Sequence, residues 1–238
     1  MGSLLAFRHA EASVNRPDLF VTGKGDHTYS LTKTGVAQAQ KAGAWAIGTF
    51  DWIRNGDFAA AVSQFVRAQQ TFEYMGLPQA PLIISAGLIE HDWGAFMGSR
   101  PPEDLRPSFD VAYEICINVK APGGESTLDL YRRTNTTLHE LVDRFPGKQL
   151  VIVAHGRTLA VLRMIIERIP ATDRGWEFVR KHNPELPNCG ALYYPDFQLL
   201  AETVPNRIER VAVVDPPYCP LEHFRWQPYM HVTFDTRH

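Results

Sequence analysis

Apolar positions in this 238-residue chain cluster into short uninterrupted runs, separated by longer stretches with helical spacing. The first run, Leu4-Leu5-Ala6-Phe7, ends abruptly in Arg8, His9, Ala10 and Glu11. A few apolar residues bounded by polar ones suit a strand covered on both faces, the usual setting of a central parallel strand. Ala59-Ala60-Ala61-Val62-Ser63, Leu82-Ile83-Ile84-Ser85 and Gln149-Leu150-Val151-Ile152-Val153-Ala154 predict three more strands. Helices are predicted from Thr32 as N-cap through residue 47, from Arg67 to just before Gly76, over residues 126–145 and over residues 159–169. This alternation predicts a single α/β domain over residues 1–238, with a mainly parallel central sheet and helices on both faces. Functional groups are then expected at the carboxyl ends of the strands.

Three stretches break the pattern. Residues 13–29 are rich in Asn, Pro, Gly and Asp and read as loop. An irregular insertion around residues 91–124, with Gly94, Gly98, Pro101, Pro102, Pro107, Pro122, Gly123 and Gly124, is expected to cover the strand ends as a lid. Residues 190–194 and 198–202, flanking Pro195-Asp196, predict a hairpin at the sheet edge.

Composition narrows the function. With 45% hydrophobic and 21% charged residues, the chain has ordinary globular content. Its formal charge of −2 gives no overall reason to bind nucleic acid or an anionic membrane, so any anion site must be local. Cys116, Cys189 and Cys219 have neither disulfide-framework nor zinc-finger spacing, which suits a reducing compartment. The first strand leaves no room for a signal peptide and no run is long enough to span a bilayer, so a cytoplasmic, unanchored protein is expected.

The chemistry lies where the strands stop. Two predicted strands end in histidines, His9 and His155, and a third ends near Ser63 with Arg67 opening the next helix. In a parallel sheet these ends share one edge, where two imidazoles can meet the guanidiniums of Arg8 and Arg67. Such a cluster suits a doubly charged tetrahedral oxyanion, and phosphate is the natural guest. His27, His139, His182 and the tail histidines stand in no motif and read as surface residues.

At this point the chain resembles the histidine phosphatase superfamily, whose members include cofactor-dependent phosphoglycerate mutases. Arg8-His9-Ala10-Glu11 is similar to the family's Arg-His-Gly-Glu signature, with Asn15 at a phosphate-contacting position. Leu31-Thr32-x-x-Gly35-x-x-Gln38-Ala39 and Ser63-x-x-x-Arg67-Ala68-x-Gln70-Thr71 are similar to its second and third blocks. Leu88-Ile89-Glu90 with Gly94 and Gly98, Gly124-Glu125-Ser126, and Val153-Ala154-His155-Gly156 follow in the family's order.

The resemblance implies that His9 attacks phosphorus, that Arg8, Arg67 and His155 hold the equatorial oxygens, and that Glu90 is the general acid, with His91 and Asp92 as rivals. It also implies that Asn15, Thr22, Gly23 and Gly156 contact phosphate or substrate, with no metal and no cofactor. Trp93 is either lid packing or a wall against the substrate, and Glu125-Ser126 reads as a helix cap. The implied partners are a small phosphorylated substrate and inorganic phosphate as product; nothing fixes the oligomeric state. Arg100, Arg106 and Arg157 are expected to make the rim positive, which points to an anionic substrate.

Three departures qualify this. Ala10 replaces the glycine after the nucleophile, which would be strained if that turn needed a positive φ. Pro107 stands where mutases carry the second arginine of a carboxylate grip, and Arg157-Thr158 replaces their Asn-Ser. These favour a phosphomonoester hydrolase, with a mutase as the alternative and a phosphate-binding or scaffold protein third.

Overall fold

Alternation within the first apolar run decides where the two helical layers go. In the computed structural model, which describes residues 2–15, 25–96, 116–182, 186–197, 210–214, 216, 218 and 226–228, β1 (Gly2–Arg8) points Leu4 and Ala6 to one face and Leu5 and Phe7 to the other. All four are fully buried, and burying a leucine or phenylalanine contributes on the order of 2 kcal/mol. β1 pairs in parallel with β4 (Gln149–Ala154), β4 with β2 (Phe58–Ser63), and β2 with β3 (Leu82–Ser85). On its other side β1 meets an antiparallel run of β5 (Ala191–Phe197), β6 (Arg210–Val214) and β7 (Trp226–Pro228). The described strands form one sheet in the order β3-β2-β4-β1-β5-β6-β7, with β1 as the seam between its parallel and antiparallel halves.

Helices α1 (Lys33–Thr49), α2 (Asp51–Arg54) and α3 (Val66–Met75) cover the Leu5 and Phe7 face. α4 (Thr127–Arg144), α5 (Gly156–Ile166) and α6 (Asp173–His182) cover the Leu4 and Ala6 face. The buried stripe of α1 is Gly35, Ala39, Ala42, Gly43 and Ala46, small enough for backbones to touch. A Cβ on Gly35 would lie 2.0 Å from the Glu11 carbonyl oxygen, so this glycine is what lets α1 dock against the segment after His9. Thr32 caps α1 by accepting from Gly35 N, and a reciprocal Ser126–Asp129 capping box starts α4. α3 ends at Gly76 in the left-handed region, φ 60°.

Two expectations need correction, and one helix was not expected. Pro195-Asp196 is not a turn: both residues lie inside β5. Leu4 pairs with Tyr194 while Gly2 pairs with Phe197, so β5 carries one extra residue, and this bulge admits a proline to an interior strand. The other half of the expected hairpin, residues 198–202, lies outside the described residues. α5 starts at Gly156 rather than 159, with His155 in the N-cap position. α6 went unpredicted because its buried face is only Gly175, Trp176 and Val179.

The described ends of the 91–124 insertion are pinned together: Ala95 N donates to Pro122 O at 2.9 Å and Glu125 N to Asp92 O at 3.0 Å. Residues 97–115 lie outside the described residues. No helix among the described residues is long and apolar enough to cross a membrane.

Candidate active site

β1 and β4 stop together. Their register pairs Arg8 with Ala154, and His9 N carries the ladder one bond further, to Ala154 O at 2.9 Å. His9 and His155 therefore leave adjacent strands at one level, with ring centroids 5.1 Å apart, and both are buried. β2 ends beside them at Ser63, and α3 follows with Arg67 in its first turn. The expected convergence of His9, His155 and Arg67 is what the fold builds.

His9 is held in one tautomer. Its Nδ1–H donates to Ala10 O at 2.7 Å, which leaves the lone pair on Nε2, and Arg67 Nε–H points at that lone pair from 3.3 Å. Burial foremost, then the Arg67 charge, push its pKa well below the usual histidine value; the Ala10 carbonyl pulls the other way, and the Arg8 charge adds a smaller push downwards. The ring is neutral and available as a nucleophile. His155 Nε2 lies 2.8 Å from Ser63 Oγ, which also accepts from Phe65 N. Its Nδ1 is a buried atom with no hydrogen-bond partner among the described residues. Burial, then the charges of Arg67 and His9, lower the His155 pKa as well.

The motif blocks around these groups form one hydrogen-bonded frame. Thr71 Oγ1 accepts from Ala10 N at 2.9 Å and donates to Arg67 O at 2.6 Å. Gln38 Oε1 accepts from Glu11 N and Gln70 Oε1 from Leu31 N, each at 2.8 Å, while Thr32 Oγ1 donates to Glu11 Oε1 at 2.6 Å. Ala10 needs no unusual backbone: the non-glycine residues with positive φ among those described are Arg168 and Cys189, so the expected strain at Ala10 is absent. Its methyl group packs with Leu5 and Phe7 instead.

Sequence reasoning missed two supports. Asn188 Nδ2 and Cys189 N donate to His9 O at 3.0 and 3.4 Å, Arg8 N donates to Gly190 O at 2.9 Å, and the Arg8 guanidinium reaches Leu186 O. Cys189 is left-handed at φ 60°, a backbone cost met by the close fit of this segment under His9. The second is Asp26, which takes Arg67 in a buried bidentate pair, Nη1 to Oδ1 and Nη2 to Oδ2 at 3.0 Å each, with its own carbonyl accepting from Nη1 at 2.7 Å. Nothing local marks Asp26, since it stands in loop composition 41 residues before its partner.

Glu90 is half-buried on the loop after β3. Its Oε1 accepts from His91 N at 2.9 Å, and its Oε2 lies 3.5 Å from Arg157 N at the start of α5. Arg133 on α4 clamps this loop, donating to Gly87 O and Glu90 O at 3.0 Å each while pairing with both Glu125 oxygens. Glu125 in turn accepts from Asp92 N at 2.9 Å, a tie that goes beyond the expected cap. The rivals are poorly placed: burial foremost, then Arg157 and Arg133, lower the His91 pKa to about 3, and Asp92 is exposed and closes a turn on Gly94 N.

The remaining expected residues divide. Gly156 opens α5 directly after His155. Asn15 is exposed, and its Oδ1 accepts from Ala12 N at 3.0 Å. Thr22, Gly23, Arg100 and Arg106 lie outside the described residues. Arg157 is stacked, with Cζ 4.9 Å from the Trp93 ring and 5.4 Å from the Trp176 ring. His27, His139 and His182 are exposed, as expected.

A buried imidazole facing a buried guanidinium at the ends of parallel strands is chemically suited to an anionic phosphoryl group. The sequence profile of the histidine phosphatase superfamily (branch 1) matches residues 4–184, and the chain belongs to that family. The 2,3-bisphosphoglycerate-dependent phosphoglycerate mutase of Azorhizobium caulinodans is 31% identical over 179 residues, 70% of this chain and 82% of its own. The enzyme of the same name from Methylobacterium radiotolerans is 31% identical over 176 residues, 69% and 78% of the two chains. Among solved structures, a mycobacterial glucosyl-3-phosphoglycerate phosphatase superposes with a TM-score of 0.63 at 20% identity, over 84% of this chain and 100% of that one. A phosphoserine phosphatase from Entamoeba histolytica gives 0.62 at 20%, over 87% and 98%. At such identity these two establish the fold.

Proposed function

We propose that this chain is a metal-independent phosphomonoester hydrolase that works through a phosphohistidine on His9. The observation that carries the reading is the tautomer lock, Nδ1–H on Ala10 O with Nε2 facing Arg67. His9 Nε2 attacks phosphorus while the P–O bond to the alcohol breaks and the Glu90 carboxyl gives its proton to the leaving oxygen. Water then attacks the phosphohistidine, Glu90 takes back a proton, and inorganic phosphate leaves. Arg8, Arg67 and His155 hold the equatorial oxygens, where charge builds up in a loose phosphoryl transition state. Gly156 N, at the start of α5, and the Asn15 amide are further donors to phosphate. Thr22 and Gly23 remain candidate substrate contacts, and the 91–124 insertion a candidate lid.

The names of the curated relatives favour a second reading, a phosphoglycerate mutase. Against it stand Pro107 in place of the second grip arginine and Arg157-Thr158 after His155-Gly156. The test is p-nitrophenyl phosphate hydrolysis in the presence of chelator by wild type, His9→Ala and Glu90→Gln. We expect chelator-resistant turnover, abolished in His9→Ala and lowered on the order of a hundredfold in Glu90→Gln. Isomerisation of 3-phosphoglycerate with a bisphosphoglycerate primer, without phosphate release, would replace the hydrolase reading with the mutase one.

A further inference from the structure

Glu90 forms part of the wall of a cavity of about 440 Å3. Gly156 lies on the same wall directly after His155, and Leu186, whose carbonyl accepts from Arg8, lies on it too, so the cavity adjoins the phosphate end. The rest of the wall combines apolar surface from Trp93, Trp176, Leu159, Leu192 and Val213 with the side chains of Arg157, Arg163 and Arg180.

The buried charges at this wall are already committed. Arg163 pairs with Glu167, itself bonded by the Tyr194 hydroxyl at 2.9 Å, and Arg157 lies against the faces of two indoles. Arg180 is exposed at the rim. Trp176 lines the wall and is 2% exposed, with its indole Nε1 itself buried.

We propose that this cavity receives the leaving group, and that the substrate is a phosphomonoester of an alcohol with a large apolar or aromatic body. The inference rests on the reading of Glu90 as the acid, because the acid protonates the bridging oxygen and the alcohol must then lie on its side of the phosphorus. A three-carbon hydroxy acid would leave most of the volume unfilled. An apolar body gains from the leucine and indole surface.

The test compares 2-phenylethyl phosphate with ethyl phosphate, primary alkyl esters of similar leaving-group basicity, and with 3-phosphoglycerate, all with chelator present. The expected result is a kcat/KM at least about tenfold higher for the phenylethyl ester. Ala160→Phe, which projects a ring from α5 into the cavity, should collapse that ratio. Binding to His9→Ala, measured by calorimetry, supplies the same comparison without turnover. Equal or better performance of ethyl phosphate or 3-phosphoglycerate overturns the proposal, while phosphate release from any ester keeps the hydrolase reading. If no ester releases phosphate, the hydrolase reading fails, and the binding ratio alone decides this one.

Discussion

The two ends of the site are built on opposite plans. At the phosphate end almost every polar atom is committed: His9 to Ala10 and Arg67, Arg67 to Asp26, His155 to Ser63, Ala10 to Thr71. At the cavity end the wall presents indole and aliphatic surface beside the guanidiniums of Arg157, Arg163 and Arg180. The first arrangement fixes geometry for a guest that hardly varies, a phosphoryl group. The second selects by shape and burial and specifies little about bond directions, which is how one phosphate-binding frame can be matched to different alcohols.

The largest effect comes from breaking the committed end. Asp26→Asn removes the charge opposite a buried guanidinium, and loss of one partner of such a pair costs about 3 kcal/mol. Phosphate supplies a replacement anion, so it should raise the melting temperature of the variant more than that of wild type. Equal phosphate shifts would separate Asp26 from the anion site. The next effect is on acid stability. His9, His91 and His155 all have lowered pKa values in the fold, so below the unfolded value of about 6.5 the unfolded chain binds protons that the native one refuses. Their contribution is complete above that pH and is lost as pH falls; for His91 the loss runs down to about 3. Urea unfolding between pH 7 and 5 should show a slope approaching one proton for each of the three, and a flat profile would mean that these rings are charged when folded. The smallest effect is at the junction of the two ends. Arg133→Met frees the loop that carries Glu90, and kcat should fall about tenfold with KM nearly constant, as for a positioning residue. A matching rise in KM would place Arg133 in substrate binding instead.

What the sequence disclosed follows the same division. β1 and β4 are apolar runs that stop at histidines, and local pattern suffices to find such strand ends. Thr32, Gln38, Gln70 and Thr71 stood out as motif residues; only the fold shows that Gln38 and Thr71 accept from the backbone after His9, that Thr32 donates to Glu11 and that Gln70 accepts from Leu31 N. Asp26, Asn188 and Arg133 were illegible, because each acts on a partner more than 40 residues away and no periodicity records such a pairing. α6 was missed for want of a wide apolar stripe, and with it Trp176, so the cavity had no signature in the chain. Pro195 misled because a bulge is a tertiary event and proline ordinarily signals its opposite.

The pairing of Arg8 with Ala154 has a wider meaning. Neighbouring strands lie about 4.8 Å apart, and the two imidazoles stand 5.1 Å apart because each follows directly on a paired strand. The yardstick of the active site is thus the peptide hydrogen bond itself, a length that side-chain drift elsewhere in the core leaves untouched. Slippage of either strand by a single residue would instead turn one imidazole to the far side of the sheet. Such a site tolerates wide divergence in its sequence and very little in its alignment.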